Sequence, residues 1–323
     1  MAGILISAVI VVFIYNATRE PLPKLLLPFE KRPYHALRDP YKGLKETEKE
    51  KAREKRTLLA RRSHRRTKTA PSLVALNTDE GIRAAFYVPW DAASYSSLRE
   101  YARQIDLLYP EWLHVLTPDG HLQGVDSETN RFFDVMQAGT VRPVDYKVMP
   151  FLKSEDTGTE VFPLVNNFDG TDWIDISAFL NDSGARANFR QQIDTFLGSD
   201  RYRGLMVDFE DFPKKAQPAF VTLLNELSID LHAKGMKLYV SAPPGNSDFD
   251  YSGVGKAADG VVLMNYDQHY AGGGGTAGPI AAQDWFTGNL SQAKKLIPID
   301  KLICAIANYG YDWVQRPKRG NRS

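Results

Sequence analysis

The sequence predicts an α/β fold, a (β/α)8 barrel that stops before its eighth strand, and three observations lead to this prediction. From residue 82 onward, short apolar segments of strand length alternate with amphipathic segments of helix length, which is typical of a parallel sheet. Seven strand segments can be counted there, and only sixteen residues follow the seventh. The region 82–323 is also close to the roughly 250 residues that such a barrel needs.

Each element is assigned from its own residue pattern. Strands are short runs rich in aliphatic and aromatic residues, whereas helices have apolar positions at three- and four-residue steps. The predicted strands are residues 83–88, 112–116, 161–166, 204–209, 237–241, 260–266 and 302–307, with 147–152 as an extension or hairpin partner of the third. The predicted helices are residues 93–107, 128–137, 185–197, 217–232 and 281–296. An open doubly wound sheet is the alternative, but the sequence VPWD after the first strand is no Gly-rich phosphate loop.

Charge is divided unevenly along the chain. Residues 1–68 contain 17 Lys and Arg against 7 Asp and Glu, whereas the rest contains 23 against 32. The acidic part is a poor platform for phosphates, so no nucleic-acid partner is expected. The single cysteine, Cys304, excludes an internal disulfide, and six scattered histidines show no metal-ligand spacing. We therefore expect no metal and no other cofactor.

The first 81 residues divide into an apolar segment and a linker. Residues 1–18 contain no charged side chain, and residues 4–15 are almost wholly aliphatic. This run is slightly short for a spanning helix. Because it also lacks the basic region of a signal peptide, we predict an uncleaved membrane anchor rather than a cleaved signal. A buried strand or helix of the main domain is the alternative. Residues 19–81 form a Pro-containing and basic linker able to lie against anionic lipid, and residues 82–323 form the barrel.

The strongest chemical signal is the segment YRGLMVDFE at residues 202–210. Because side chains alternate along a strand, Met206, Asp208 and Glu210 share one face. The two acids then lie at the carboxyl end of the strand, where barrels of this kind build their active sites. Like charges in a partly dry site resist joint ionisation, so one carboxyl group keeps its proton and can act as a general acid. A solvated acidic strand end is the alternative.

This segment resembles the signature DGxDxDxE of glycoside hydrolase family 18, which ends in the catalytic acid. Gly204, Asp208 and Glu210 match the glycine, the last aspartate and the acid, whereas Arg203 and Met206 replace the first two aspartates. The resemblance implies a TIM-like (β/α)8 barrel.

Two later segments carry the same resemblance. The sequence MNYD at residues 264–267 is similar to the family's MxYD element on the sixth strand, and NYGYDW at residues 308–313 is similar to the turn after the seventh. Over residues 82–313 the likeness is to the hydrolase-like module at the amino terminus of bacterial membrane proteins. Those proteins also carry polysaccharide deacetylase and family 2 glycosyltransferase regions, which are therefore candidate partners. The resemblance also implies that the barrel lies outside the cytoplasm.

The resemblance implies hydrolysis of β-linked N-acetylglucosamine polymers with retention, in which the substrate's own acetamido group is the nucleophile. Glu210 would be the general acid and base, Asp208 would hold the acetamido N–H, and Tyr266 would donate to the acetamido oxygen. The predicted sugar-binding residues are Tyr87, Trp90, Asn166, Met264 and Asp267. A module that binds glycan without turnover, and guides polymer to a deacetylase or glycosyltransferase, is the alternative function. A scaffold with no carbohydrate site is the third.

Overall fold

The structure is a computed structural model, and it describes residues 11–13, 81–126, 129, 131–137, 140–270, 277–311 and 313. The chain divides into two compact units, one made of Met1–Asn16 and Thr78–Ser323 and the other of Ala17–Asn77. All of the described residues belong to the first unit.

The described strands and helices alternate over most of this unit. The strands are β1 Val11–Phe13, β2 Arg83–Tyr87, β3 Leu107–Val115, β4 Leu122–Val125, β5 Phe132–Asp134, β6 Met136–Gln137, β7 Thr140–Val141, β8 Glu160–Val161, β9 Leu164–Asn166, β10 Gly204–Asp208, β11 Lys237–Ala242, β12 Gly260–Met264 and β13 Leu302–Ala305. The helices are α1 Ala92–Tyr101, α2 Val148–Glu155, α3 Ser177–Asn181, α4 Ser183–Leu197, α5 Gln217–His232, α6 Tyr251–Ala257 and α7 Gln283–Leu296. Short 3₁₀ turns lie at Ala102–Gln104 and Lys214–Ala216.

Seven strands of the main sheet run parallel in the order β2, β3, β9, β10, β11, β12 and β13, and the short β8 also pairs parallel with β3. β4 pairs antiparallel with β3, and β5 pairs antiparallel with β4. All five residues of β10 are buried, as expected for a central strand of a parallel sheet covered on both faces. The carboxyl ends of these seven strands consequently meet along one edge of the sheet.

The sheet is strongly curved. The rings of Tyr109 on β3 and Tyr239 on β11 have centroids 5.5 Å apart, although β9 and β10 lie between their strands. In a flat sheet these strands would be about 14 Å apart, because neighbouring strands are spaced by about 4.8 Å. Side chains of the concave face therefore pack against one another across the curved sheet. The apolar cluster that they form includes Phe86, Phe162 and Met206.

The helices cover the convex face. Leu205, Val207 and Phe209 belong to the larger apolar cluster, and Phe209 packs against Phe220 of α5 with ring centroids 6.0 Å apart. The side chains of β10 thus alternate between the two faces as the sequence pattern predicts. This alternation sends Asp208 and Glu210 to the same side as Met206.

The predicted strands are all present, and the helices predicted at 185–197 and 217–232 correspond to α4 and α5. Two predictions are wrong. The helix predicted at 128–137 is replaced by β5 and β6, because Phe132–Asp134 pairs with β4 instead of continuing a helical period. The strand or hairpin predicted at 147–152 is instead helix α2. At the start of this helix, the main-chain N–H of Val148 donates a hydrogen bond to Asp145 Oδ2 at 2.7 Å.

The described part of the predicted membrane anchor is a short strand. Val11–Phe13 pairs antiparallel with β2, with Val12 opposite Ala84. The remainder of residues 1–18 and the linker up to residue 80 lie outside the described residues. Of the helices in the described part of the chain, none combines the length and the apolar character that a membrane crossing requires.

Gly204 lies where β10 passes closest to β11. A Cβ atom there would lie 1.8 Å from the main-chain oxygen of Lys237. We expect Gly204→Ala to lower the free energy of unfolding by about 3 kcal/mol and the Tm by about 6–12 °C, which thermal denaturation would measure. Gly288, inside α7, has no atom within 4 Å of an added Cβ, so Gly288→Ala should stabilise by about 0.5–1 kcal/mol. A Gly204→Ala protein as stable as the wild type would contradict this contact.

Candidate active site

A cavity of about 410 Å³ opens on the concave face, at the carboxyl ends of the parallel strands. Its size is in the range of small-molecule sites, and this edge is where parallel α/β sheets place their ligands. Polar and apolar side chains both line it. The lining residues are Phe86, Val88, Trp90, Glu111, Leu164, Phe168, Trp173, Asp208, Glu210, Pro243, Pro244, Met264, Tyr266 and Asp267.

Asp208, the last residue of β10, is held in the wall of the cavity. Its side chain is buried, and its Oδ1 accepts a hydrogen bond from the Ser241 hydroxyl on β11. Burial raises the pKa of Asp208 to about 6, and the hydrogen bond from Ser241 opposes this effect. The carboxyl group is therefore mostly ionised near neutral pH, and it gains its proton in mildly acidic solution.

Glu210 follows Asp208 by two residues and faces the same cavity. Burial raises the pKa of Glu210 well above its usual value, and the neighbouring Asp208 and Glu111 raise it further. Of the described lining residues, none is Lys, Arg or His, so no side-chain cation opposes this effect within the cavity wall. These surroundings consequently favour the protonated form of Glu210, which can donate its proton.

The main chain of Glu210 is fixed by Asn167. The Asn167 Oδ1 accepts a hydrogen bond from the Glu210 N–H at 2.9 Å, and its Nδ2 donates to the Glu210 carbonyl oxygen at 2.7 Å. The same Nδ2 donates to the Ile174 carbonyl oxygen at 2.8 Å. Because these bonds involve only main-chain atoms of Glu210, its carboxyl group stays available for a ligand.

Tyr266 and Asp267 follow β12 and complete the polar side of the cavity. Burial raises the pKa of the Tyr266 phenol well above its usual value, so this group remains a hydrogen-bond donor. Asp267 has a left-handed backbone with φ of 60°, and its Oδ1 accepts a hydrogen bond from the Tyr309 hydroxyl at 2.7 Å. Burial also raises the pKa of Asp267.

The structure gathers most of the predicted site residues in one place. The residues that line the cavity are Trp90, Asp208, Glu210, Met264, Tyr266 and Asp267. Their predicted roles in catalysis and sugar binding remain predictions.

Two predicted sugar-binding residues do not line the cavity. Tyr87 packs into the apolar cluster under the helices, and Phe86 takes the concave face instead, because neighbouring side chains of β2 point to opposite faces. Asn166 is fully buried, and its Nδ2 donates to Glu111 Oε1 at 2.7 Å. The Asn166 side chain therefore makes its hydrogen bond within the protein rather than with a ligand.

Sequence reasoning missed several lining residues, and Glu111 is the most polar of them. It is the single charged residue of β3, a strand that is otherwise mostly buried and apolar. An isolated acid inside an apolar strand was the available signal for this residue. Phe168 and Trp173, also missed, pack their rings 5.2 Å apart and form an aromatic wall.

The arrangement combines a protonated acid, an ionised carboxylate and a phenol donor beside aromatic surfaces. A protonated carboxyl group can deliver a proton to the leaving oxygen of a glycosidic bond, and aromatic rings suit the apolar faces of sugars. Within the described residues, no group of three or more His, Cys, Asp or Glu side chains could hold a metal ion.

Comparison with known sequences gives one family and a related bacterial protein. The family model of glycosyl hydrolases family 18 matches residues 112–322. The chain is 27% identical over 237 residues to the uncharacterized glycosylase YvbX of Bacillus subtilis strain 168, covering 70% of this chain and 63% of that protein.

Solved structures show the same fold. The class V chitinase from Pseudomonas fluorescens Pf-5 is 26% identical with a TM-score of 0.56, over 68% of this chain and 66% of that chain. The spore cortex-lytic enzyme SleL from Bacillus cereus is 19% identical with a TM-score of 0.56, over 68% of this chain and 49% of that chain. The chain thus spans from about half to just under two thirds of the length of these three proteins.

Proposed function

The chain belongs to glycosyl hydrolases family 18, and we propose that it hydrolyses β-linked N-acetylglucosamine polymers with Glu210 as general acid and base. The observation that carries this proposal is the convergence of Asp208, Glu210 and Tyr266 on one cavity of the concave face. We infer in addition that the seven parallel strands belong to a (β/α)8 barrel, as the likeness to the chitinase structure supports.

In the first proposed step, the acetamido carbonyl oxygen of the substrate attacks the anomeric carbon. The bond from that carbon to the leaving oxygen breaks, and Glu210 gives its proton to the leaving oxygen. A reaction within one bound sugar needs no second carboxylate as nucleophile. This fits a site in which burial favours the protonated form of Glu210.

In the second step, water attacks the anomeric carbon and the ring formed by the acetamido group opens. Glu210, now ionised, takes a proton from that water and returns to its starting state. Asp208 accepts the acetamido N–H and offsets the positive charge of the intermediate, for which it must be ionised. The phenol of Tyr266 donates to the acetamido oxygen and sets its line of attack.

Product stereochemistry tests this mechanism. Two displacements at the anomeric carbon retain its configuration, so we expect the β-anomer to be released first from N-acetylglucosamine oligomers. Proton NMR of a fresh digest by the full chain would follow it, with chitin oligomers and a β-1,6-linked polymer as the two substrates. Release of the α-anomer first would contradict the proposed mechanism.

The second candidate function is a module that binds glycan without turnover. Met206 supports it, because this apolar residue occupies the position where the family signature has an aspartate and packs in the concave cluster. For such a module, the NMR digest would contain no product, while chitin oligomers would still bind in a calorimetric titration. Turnover that depends on Glu210 would exclude this candidate.

We also propose that residues 1–18 hold the hydrolase unit at a membrane, with the barrel outside the cytoplasm; in the anchored state Val11–Phe13 would leave its pairing with β2. Support comes from the uncharged apolar run at the start of the chain and from twelve basic residues within 42–68. Polysaccharide deacetylase and glycosyltransferase regions of the same protein remain proposed partners.

Membrane fractionation tests the proposed anchor. We expect the full chain in the membrane fraction and a chain that starts at Leu73 in the soluble fraction, because the shorter chain lacks both the apolar and the basic segment. Immunoblotting of the two fractions would measure the distribution. Equal distribution of the two proteins would rule out the anchor.

A further inference from the structure

Glu111 is a third acid beside the two predicted catalytic carboxyl groups. It lies in the middle of β3, where the register with β9 shifts between Glu111 and Leu113. Asn166 of β9 pairs in register with Asp208 of β10. The Asn166 side chain thus stands between the strands of Glu111 and Asp208, and both acids line the same cavity.

The Asn166 amide has a fixed orientation. Its Oδ1 accepts a hydrogen bond from the Phe168 N–H at 3.1 Å, which leaves Nδ2 to donate to Glu111 Oε1 at 2.7 Å. Asn166 is fully buried, so water does not compete for either bond. This neutral donor holds the Glu111 carboxyl group in place and contributes no positive charge to balance it.

The charges around Glu111 are almost all negative. The groups that share its cavity and can titrate are Asp208 at the end of β10, Glu210 just after it, and Tyr266 and Asp267 after β12. Ser241 on β11 contributes a hydroxyl donor, and that donor is bonded to Asp208. Several carboxylates without a cation cannot all be ionised in a partly dry cavity, so protons must be retained.

Proton retention differs among the three acids. Burial and the nearby Asp208 raise the pKa of Glu111 to about 8, with the Asn166 hydrogen bond opposing them. Burial raises the pKa of Asp208 to about 6, and the hydrogen bond from the Ser241 hydroxyl opposes this by stabilising the charged form. Of the three acids, Asp208 is therefore the one on which negative charge is favoured.

We propose that Glu111 is a positioning residue that acts through Asp208 and Glu210. As a proton-holding acid it leaves Asp208 as the charged member of the three near neutrality. Once Glu111 ionises, its charge opposes loss of the proton from Glu210 and keeps the general acid active in alkaline solution. This inference rests on the proposed hydrolase function. Residue 206 of β10 is methionine, so β10 itself places no second acid before Asp208 on this face. Glu111 of β3 supplies a second acid to the same cavity instead.

Infrared difference spectroscopy of the full chain tests the protonation directly, whether or not the protein turns over substrate. Glu111→Gln keeps an acceptor for Asn166 and removes the carboxyl group. We expect its spectrum at neutral pH to lose a carbonyl band of a protonated acid. The matched control is Glu160→Gln at the opposite end of the strands, where Glu160 pairs in register with Leu107 and forms an ion pair with Arg203. This control should lose a carboxylate band, and the same loss in Glu111→Gln would overturn the proposal.

The pH profile of kcat/KM tests the positioning role. In Glu111→Gln the charge that holds the proton on Glu210 is absent, so the alkaline limb should move to lower pH. We expect the ratio of alkaline to neutral kcat/KM to fall about three- to tenfold relative to wild type. The Glu160→Gln profile should superimpose on that of wild type.

The outcomes separate the inference from the function on which it rests. A loss of kcat/KM by the same factor at every pH would indicate a structural role and overturn the positioning role, as would a profile equal to wild type. Absence of turnover in the wild type would instead count against the hydrolase proposal, and the infrared result would still decide whether Glu111 holds a proton.

Discussion

Glu210→Gln is expected to lower kcat on N-acetylglucosamine oligomers by about 10²- to 10⁴-fold, the range typical of a general acid and base. Glutamine cannot donate a proton to the leaving oxygen in the first step or take one from water in the second. The variant should fold normally, since Asn167 bonds only the main-chain atoms of residue 210. Chromatography of the released oligomers would measure the rate.

The matched control for this substitution is Asp211→Asn. Asp211 is the next residue, is exposed and does not line the cavity, and asparagine accepts its left-handed backbone with φ of 52°. We expect this control to keep kcat within about threefold of wild type, as surface substitutions usually have small effects. Equal rates for Glu210→Gln and wild type would remove the catalytic role of Glu210.

Asp208→Asn is expected to lower kcat by about 10²- to 10³-fold, a loss comparable to that of one preorganised group that stabilises transition-state charge. Asparagine is nearly the same size as aspartate but cannot offset the positive charge of the intermediate. Binding of oligomer, followed by calorimetry, should be reduced much less than kcat. A variant with wild-type kcat would contradict the role of Asp208.

The pH dependence of kcat/KM is a second measurement of the role of Asp208. Burial raises the pKa of Asp208 to about 6, so kcat/KM of the wild type should fall as the pH drops below about 6 and the carboxylate gains its proton. Ser241→Ala removes the hydroxyl that stabilises the charged form, so this acid limb should move to higher pH. An acid limb that stays in place in Ser241→Ala would contradict the assignment to Asp208.

Strand β10 could be predicted from the sequence because its signal is local. Alternation along β10 places Asp208 and Glu210 on one face, and both line the cavity in the structure. The length of α5 also follows from a local pattern. These features depend on neighbours within a few residues along the chain.

The features that could not be predicted depend on contacts between distant segments. Glu111 meets Asn166 across 55 residues of sequence, and the register shift in β3 decides which of its side chains face the cavity. Tyr87 was predicted at the site, but the cavity is lined by Phe86. Four of the five residues of β2 are apolar or aromatic and buried, so alternation does not mark which face of this strand is inward. A pairing partner outside the local window likewise turned residues 132–134 into a strand.

The Asn167 amide joins the acid to the loop that carries the aromatic wall. It bonds the main chain of Glu210 and the carbonyl oxygen of Ile174, and Ile174 directly follows Trp173. In the proposed reaction, a sugar that stacks on Phe168 and Trp173 would contact the loop that Asn167 connects to Glu210. Substitutions in this aromatic wall are therefore expected to change the rate of bond cleavage together with the affinity for the polymer.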